Sequence, residues 1–109
     1  ISSLEGVGDL VLDEVYCLSS HHARHLFVIN TASRDSLSNY LKDNGIGTLI
    51  HYPCPPFKQT AYRSRFIDKS YPNAEIVSSS VLSLPIGLHI NEESIEYITS
   101  KVIQFYSNN

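Results

Sequence analysis

The sequence predicts an α+β domain, a small three- to four-stranded sheet with helices packed on it, and three observations carry that reading. The chain has 109 residues, enough for one compact domain and one modest core. Its hydrophobic fraction of 42% and charged fraction of 17% are those of ordinary globular material. Short apolar runs bounded by Gly and Pro alternate along the chain with segments of helical period, so strands and helices interleave.

Taken in order, Gly6-Val7-Gly8-Asp9 is turn-like and gives way to Leu10-Val11-Leu12, an extended approach to a first strand. After the polar Ser19-Ser20-His21-His22, the run His25-Leu26-Phe27-Val28-Ile29 is apolar on both faces, as a central strand covered on two sides would be. Ser33 is placed to cap a helix with Asp35 in its first turn, Leu37, Tyr40 and Leu41 on its apolar face, and Lys42-Asp43-Asn44-Gly45 as its end. Ile46 to Tyr52 reads as a second strand stopped by Pro53, which completes a βαβ-like unit. Pro53, Pro55 and Pro56 fix three φ angles and remove three N–H donors, making a rigid, shaped loop, with a short helical turn following from Lys58 to Tyr62. Pro72 suits the first position of a helix that carries Ala74, Val77 and Val81 on one side and stops by Pro85. Asn91 caps the last helix, Glu92 and Glu93 favour its positive end, and Ile95, Ile98, Val102 and Phe105 form its buried stripe.

Composition excludes several classes. Eight Lys and Arg against eleven Asp and Glu give a net charge of −3 with no Lys/Arg cluster, so a nucleic-acid partner is not expected. No run approaches the roughly 18 apolar residues of a membrane span, and Ile1-Ser2-Ser3-Leu4 lacks a signal-peptide pattern, so a cytoplasmic location is expected and a membrane partner is not. Cys17 and Cys54 form no C-x-x-C pattern and suit two free thiols in a reducing compartment. The chain contains no Met, which reads as a piece of a longer protein.

Among side chains able to carry chemistry, His21, His22 and His25 have spacings compatible with a metal, but no further ligand group lies nearby in sequence and no metal site is expected. Cys54 follows His51 by three residues, yet it sits between two prolines with no sign of an oriented base, so no thiolate nucleophile is expected. Adjacent Glu92 and Glu93 point in different directions on a helix and are explained by its dipole. What remains is His51-Tyr52-Pro53-Cys54-Pro55-Pro56-Phe57-Lys58-Gln59. A strand that ends in two polar rings and then a stiff loop suits a ligand rim. It equally suits a structural corner, with Tyr52 packed and His51 bonded to backbone, and the residues alone leave both readings open.

Several blocks, in this order, resemble the DegT/StrS sugar aminotransferases: Gly6-Val7-Gly8-Asp9-Leu10-Val11-Leu12, His25 to Ile29, Gly45-Ile46-Gly47-Thr48-Leu49-Ile50-His51-Tyr52-Pro53-x-Pro55-Pro56, Pro72-Asn73-Ala74-Glu75, and Val81-Leu82-Ser83-Leu84-Pro85. The resemblance covers nearly the whole chain and corresponds to the family's C-terminal small domain, here residues 1–109. It implies the aspartate aminotransferase fold and a homodimeric, pyridoxal-phosphate-dependent enzyme that moves an amino group, commonly from glutamate, onto a nucleotide-linked keto sugar. In the family the Schiff-base lysine and the main cofactor contacts lie in the large domain, so the resemblance implies no catalytic and no cofactor-binding residue in this chain, which alone would be inactive. It implies substrate contact at His51 and Tyr52, with Lys58 and Gln59 as rim residues. Phe57 stands where close relatives more often carry His, Asn30 where Arg is common, Arg24 where an aromatic is, and Asp13 where Pro is. The string from Thr48 to Tyr62 is most similar to the branch that aminates C3 of dTDP-linked 3-keto-6-deoxyhexoses. The rival expectation is a free-standing, non-catalytic module, or a degenerate remnant of such an enzyme, that binds a metabolite or a partner chain.

Overall fold

The computed structural model describes residues 2–12 and 25–108. Three antiparallel strands, β1 (Val11–Leu12), β2 (Phe27–Asn30) and β3 (Val81–Leu84), form one sheet in the order β1-β2-β3. Among the described residues three α-helices accompany it: α1 (Arg34–Asp43), α2 (Pro72–Ser80) and α3 (Glu92–Ser107). The α+β expectation holds, and the run ending at Ile29 is indeed the central strand.

Register divides the sheet into two faces. Leu12 pairs with Ile29, Ile29 with Leu82 and Phe27 with Leu84, so these five side chains share one face. That face meets α1 and α3: Ile29, Leu82, Leu37, Leu41 and Val102 are fully buried in one cluster, with Leu4, Ile46, Leu84 and Phe105 around them. Each fully buried aliphatic side chain contributes about 1.5–3 kcal/mol, so this layer supplies most of the cohesion. The second face carries Val11, Val28, Asn30, Val81 and Ser83.

Helix α1 ends as its sequence indicates. Gly45 takes φ +76°, its N–H donates to Lys42 O at 3.0 Å and the Ile46 N–H donates to Leu41 O at 2.9 Å. This is a Schellman stop whose flanking Leu41 and Ile46 enter the core. Its start differs from expectation: Ser33 occupies the cap position without a side-chain cap bond. Instead its N–H donates to Thr31 Oγ1 at 3.0 Å. At α3 the expectation holds, since Asn91 Oδ1 accepts from the Ser94 N–H at 2.9 Å. The stripe on α3 is shorter than expected, because Val102 and Phe105 are buried and Ile98 packs at the margin, whereas Ile95 is exposed.

Two segments are corrected. Ile46 to Tyr52 is not a strand: only Leu49 pairs, in an antiparallel bridge with Ser83. Since β3 runs antiparallel to β2, the bridge segment runs parallel to β2 with β3 between them, so the βαβ direction survives and the fourth strand does not form. Val81 belongs to β3, not to the helix opened by Pro72, which stops at Ser80. The spacing of Ala74, Val77 and Val81 fits a helix, but Val81-Leu82-Ser83-Leu84 is a four-residue run buried throughout, and pairing with β2 outweighs that periodicity. Where a short helical turn is expected from Lys58 to Tyr62, the Tyr62 N–H donates to Gln59 O at 2.9 Å in a single turn, flanked by two 3-10 turns, Pro56–Lys58 and Arg63–Arg65.

The Gly6-Val7-Gly8-Asp9 block has a structural task. Asp9 Oδ1 accepts from Thr31 Oγ1 at 2.7 Å and Oδ2 from the Ala32 N–H at 2.6 Å. Since the Thr31 proton is committed to Asp9, the Tyr106 hydroxyl of α3 donates to Thr31 Oγ1 across 2.6 Å. A Cβ on Gly8 would collide with the Tyr106 ring, and its φ of +55° independently favours glycine. The lead-in is thereby clamped to the end of β2 and to α3.

Candidate functional site

Alternation along the bridge segment decides where the expected site residues point. Leu49 lies opposite Ser83, and the backbone bonds run both ways, Leu49 N–H to Ser83 O at 3.2 Å and Ser83 N–H to Leu49 O at 2.7 Å. Ser83 faces away from α1 and α3, so Leu49 and, two residues on, His51 share that second face, while Ile50 turns into the core. There the His51 ring meets the buried Ser83 hydroxyl, Nδ1 to Oγ 2.9 Å. Tyr52 follows through a cis peptide bond and is 73% exposed, its ring edge-on to that of His51 at 5.7 Å between centroids. Of the two sequence readings, the corner with a packed Tyr52 and a His51 bonded to backbone is not what forms.

The two rim residues lie elsewhere on the same loop. Lys58 Nζ is paired with Glu75 Oε2 of α2 at 2.9 Å and sits 5.9 Å over the Phe57 ring. Gln59 Nε2 reaches the Cys54 carbonyl at 3.5 Å. A groove of about 480 Å³ is lined by Lys58, Glu75, Arg34, Pro53 and Cys54 among others. Arg34, which sequence reasoning missed, is oriented there by donating to the Ser78 carbonyl at 2.7 Å and to Asp35 Oδ1 at 2.8 Å. Neither His51, Tyr52 nor Gln59 lines that groove, so the structure joins His51 to Tyr52 and Lys58 to Arg34 but makes no single pocket of all four expected residues. A second open groove of about 430 Å³ runs between Gly45, Ile46, Pro85, Ile90 and Tyr97 and contains no titratable side chains besides Glu93 and Tyr97.

Ser83 is the other residue that the sequence alone did not single out. The available signal was a hydroxyl inside the apolar run Val81-Leu82-Ser83-Leu84, a polar group in a segment with no other reason to be polar.

The Cys54 thiol is exposed and free, and its one hydrogen bond is to the Pro55 carbonyl at 3.7 Å, so it is not paired with His51. No group of three His, Cys, Asp or Glu side chains able to hold a metal occurs among the described residues, and His21, His22 and Cys17 lie outside them. No helix among the described residues is long and apolar enough to cross a membrane. The described residues also do not fit a covalently held pyridoxal phosphate. Lys42 closes α1 at the surface, Lys58 is bound to Glu75, Lys69 lies 5.8 Å over Phe66, and Lys101 donates to Gln104 at 3.2 Å. Of the four, only Lys58 lines either of the two open grooves, and there it is held by Glu75.

Comparison with known proteins gives three kinds of match. The model of the DegT/DnrJ/EryC1/StrS aminotransferase family matches residues 2–103. Among curated proteins, a dTDP-3-amino-3,6-dideoxy-alpha-D-galactopyranose transaminase of Aneurinibacillus thermoaerophilus is 40% identical over 84 residues, which are 77% of this chain and 23% of that protein. A pleiotropic regulatory protein of Geobacillus stearothermophilus is 34% identical over 103 residues, 94% of this chain and 28% of that one. Among solved structures, Streptomyces venezuelae DesV, in complex with a ketimine intermediate, superposes with a TM-score of 0.78 at 31% identity over 96% of this chain and 28% of its own. The chain thus spans about a quarter of the length of these relatives.

Proposed function

The chain belongs to the DegT/DnrJ/EryC1/StrS aminotransferase family, and from that premise we propose that residues 1–109 form the C-terminal small domain of a pyridoxal-phosphate-dependent sugar aminotransferase. The whole enzyme is a cytoplasmic homodimer that transfers an amino group, from glutamate, to a nucleotide-linked keto sugar. The cofactor, held by residues outside this chain, supplies the electron sink for amino transfer. This chain supplies part of the wall against which the sugar is oriented. His51 and Tyr52 contact the substrate from the second face of the sheet, and Lys58 and Gln59 stand on the loop beyond.

The observation that supports this best is the pairing of a pinned His51 with a Tyr52 that is 73% exposed on a proline-stiffened loop. A polar ring held at the surface without a packing role is what a site completed by another domain requires. The branch proposed is amination at C3 of a dTDP-linked 3-keto-6-deoxyhexose. Moving the reacting carbon by one ring position turns the hexose in the cleft, so the loop meeting the sugar must differ between branches. Phe57 presents an apolar face that packs against a deoxy methyl better than it binds a hydroxyl.

The test is kcat/KM of the enzyme containing this chain on 3-keto and 4-keto dTDP sugars with glutamate. Preference for the 4-keto compound, or for a UDP-linked acetamido sugar, overturns the branch. Absence of any amino transfer overturns the reading as a whole. Borohydride reduction of the 109-residue chain with pyridoxal phosphate should leave scattered, substoichiometric lysine labels, and one stoichiometric adduct would contradict the assignment of the cofactor to residues outside it.

A further inference from the structure

We infer that Ser83 is a positioning residue that fixes His51 as the Nε2–H tautomer, making the imidazole a hydrogen-bond donor aimed away from the sheet rather than a base. The inference rests on the reading of His51 as a substrate contact for its consequence, but its geometry stands without it.

Ser83 is 5% exposed, lies in a strand buried throughout, and has its backbone locked by the two bonds to Leu49 and by pairing with Val28. Its position is therefore set by the sheet. Its hydroxyl carries one proton that needs an acceptor, and a buried hydroxyl left without one is destabilising. Among the described residues, His51 Nδ1, at 2.9 Å, is its hydrogen-bond partner. If Nδ1 carried the proton, the imidazole would donate to Oγ and the serine proton would be left in the interior with no acceptor among the described residues. If Nδ1 carries the lone pair, serine donates and both groups are satisfied. The second arrangement is the one a buried site selects, and it places the imidazole proton on Nε2.

The orientation follows from the same placement. With Nδ1 turned towards the sheet, Nε2 is the ring nitrogen directed away from Ser83, and no described residue hydrogen-bonds to it. A neutral imidazole held this way offers one N–H to an oxygen of a ligand, such as a hydroxyl, a keto group or a phosphate. It cannot take a proton at Nε2. Cys54, whose thiol is turned to the Pro55 carbonyl, is consistently not its partner.

The test is long-range ¹H–¹⁵N correlation NMR of the imidazoles in the ¹⁵N-labelled chain at alkaline pH, with the His51 signals assigned by their loss in His51→Gln. The expected pattern is a proton-bearing Nε2 and an unprotonated Nδ1. Ser83→Ala, which removes only an oxygen from the interior, should convert this single tautomer to an exchanging mixture, and Ser83→Cys, a weaker donor of similar size, should fall between the two. A proton on Nδ1 in the parent chain, or a tautomer unchanged in Ser83→Ala, overturns the inference. A hydroxyl that served stability alone would lower the melting temperature and leave the tautomer where it was, which also overturns it. In the enzyme containing this chain, Ser83→Ala should lower kcat/KM about two- to tenfold through KM, with kcat little changed. The failure of the sugar reading is told apart by His51→Ala: wild-type kinetics there, with the tautomer as expected, removes the substrate role of His51 and leaves the Ser83 geometry intact.

Discussion

At the scale of single residues, chemistry and architecture use different groups. Removing one neutral hydrogen bond to substrate costs about 0.5–1.5 kcal/mol, so Tyr52→Phe should reduce kcat/KM of the enzyme containing this chain about two- to tenfold. Because Tyr52 is exposed, its melting temperature should not move, and an unchanged kcat/KM would return Tyr52 to a surface role. The Asp9–Thr31–Tyr106 clamp responds to pH instead. Burial, ahead of the neighbouring Asp9 charge, pushes the Tyr106 hydroxyl up to about 12. Burial also pushes the Asp9 carboxyl up, but the hydrogen bonds it accepts from the Thr31 hydroxyl and the Ala32 N–H help to outweigh it, and the group is held below the usual carboxylate range. A raised folded-state value for Tyr106 means that its contribution is complete below the ordinary tyrosine pKa near 10 and is lost as pH rises towards 12. A lowered value for Asp9 means that its contribution is complete above the ordinary aspartate range and is lost as pH falls through the folded value. Tyr106→Phe should therefore remove the alkaline part of the loss in a melting-temperature profile. A profile identical to the parent between pH 9 and 12 would show that the clamp does not carry it.

At the scale of elements, the sequence was readable where local signals and tertiary packing agree. Gly45 ends α1 because only an unsubstituted residue takes that φ cheaply, and Asn91 starts α3 because its oxygen meets an orphan N–H; both are local events. Strand identity was not local. Val81 to Leu84 continues a helical spacing, and Ile46 to Tyr52 looks like a strand, but the place beside β2 goes to the former. Only one residue of the latter pairs, at the outer edge of β3. For the same reason the Ser83 hydroxyl stands out in the sequence only as a polar group in an apolar run, and its partner, His51, follows only from the register of the bridge with Leu49. The caps offer a direct comparison. Asn91→Ala should cost about 0.5–2 kcal/mol, whereas Ser33→Ala, whose side chain makes no cap bond, should cost no more than about 0.5 kcal/mol. Urea unfolding of the two variants measures both, and equal losses would mean that the Ser33 hydroxyl caps α1 after all.

At the scale of the molecule, the main core cluster lies on one side of the sheet, and several large apolar side chains outside it are exposed. Helix α2 buries none of its residues, with Ile76 63% and Val77 52% exposed, and Ile67, on the preceding segment, is 78% exposed. This chain spans about a quarter of the length of such relatives, and contacts between domains bury apolar side chains much as subunit contacts do. In the 109-residue chain these side chains are exposed. Apolar area that stays wet is paired most cheaply with a second copy of itself, so the chain should self-associate reversibly as concentration rises in sedimentation equilibrium. Burying an aliphatic side chain is worth about 1.5–3 kcal/mol, so replacing two of them with charge, as Ile76→Asp with Val77→Asp, should weaken association by at least about tenfold. Neither side chain is in the core, so the double variant should keep the melting temperature of the parent. A chain that stays monomeric at the highest attainable concentration, or a double variant that associates as strongly as the parent, would show that this face of α2 is not where the chain seeks a partner.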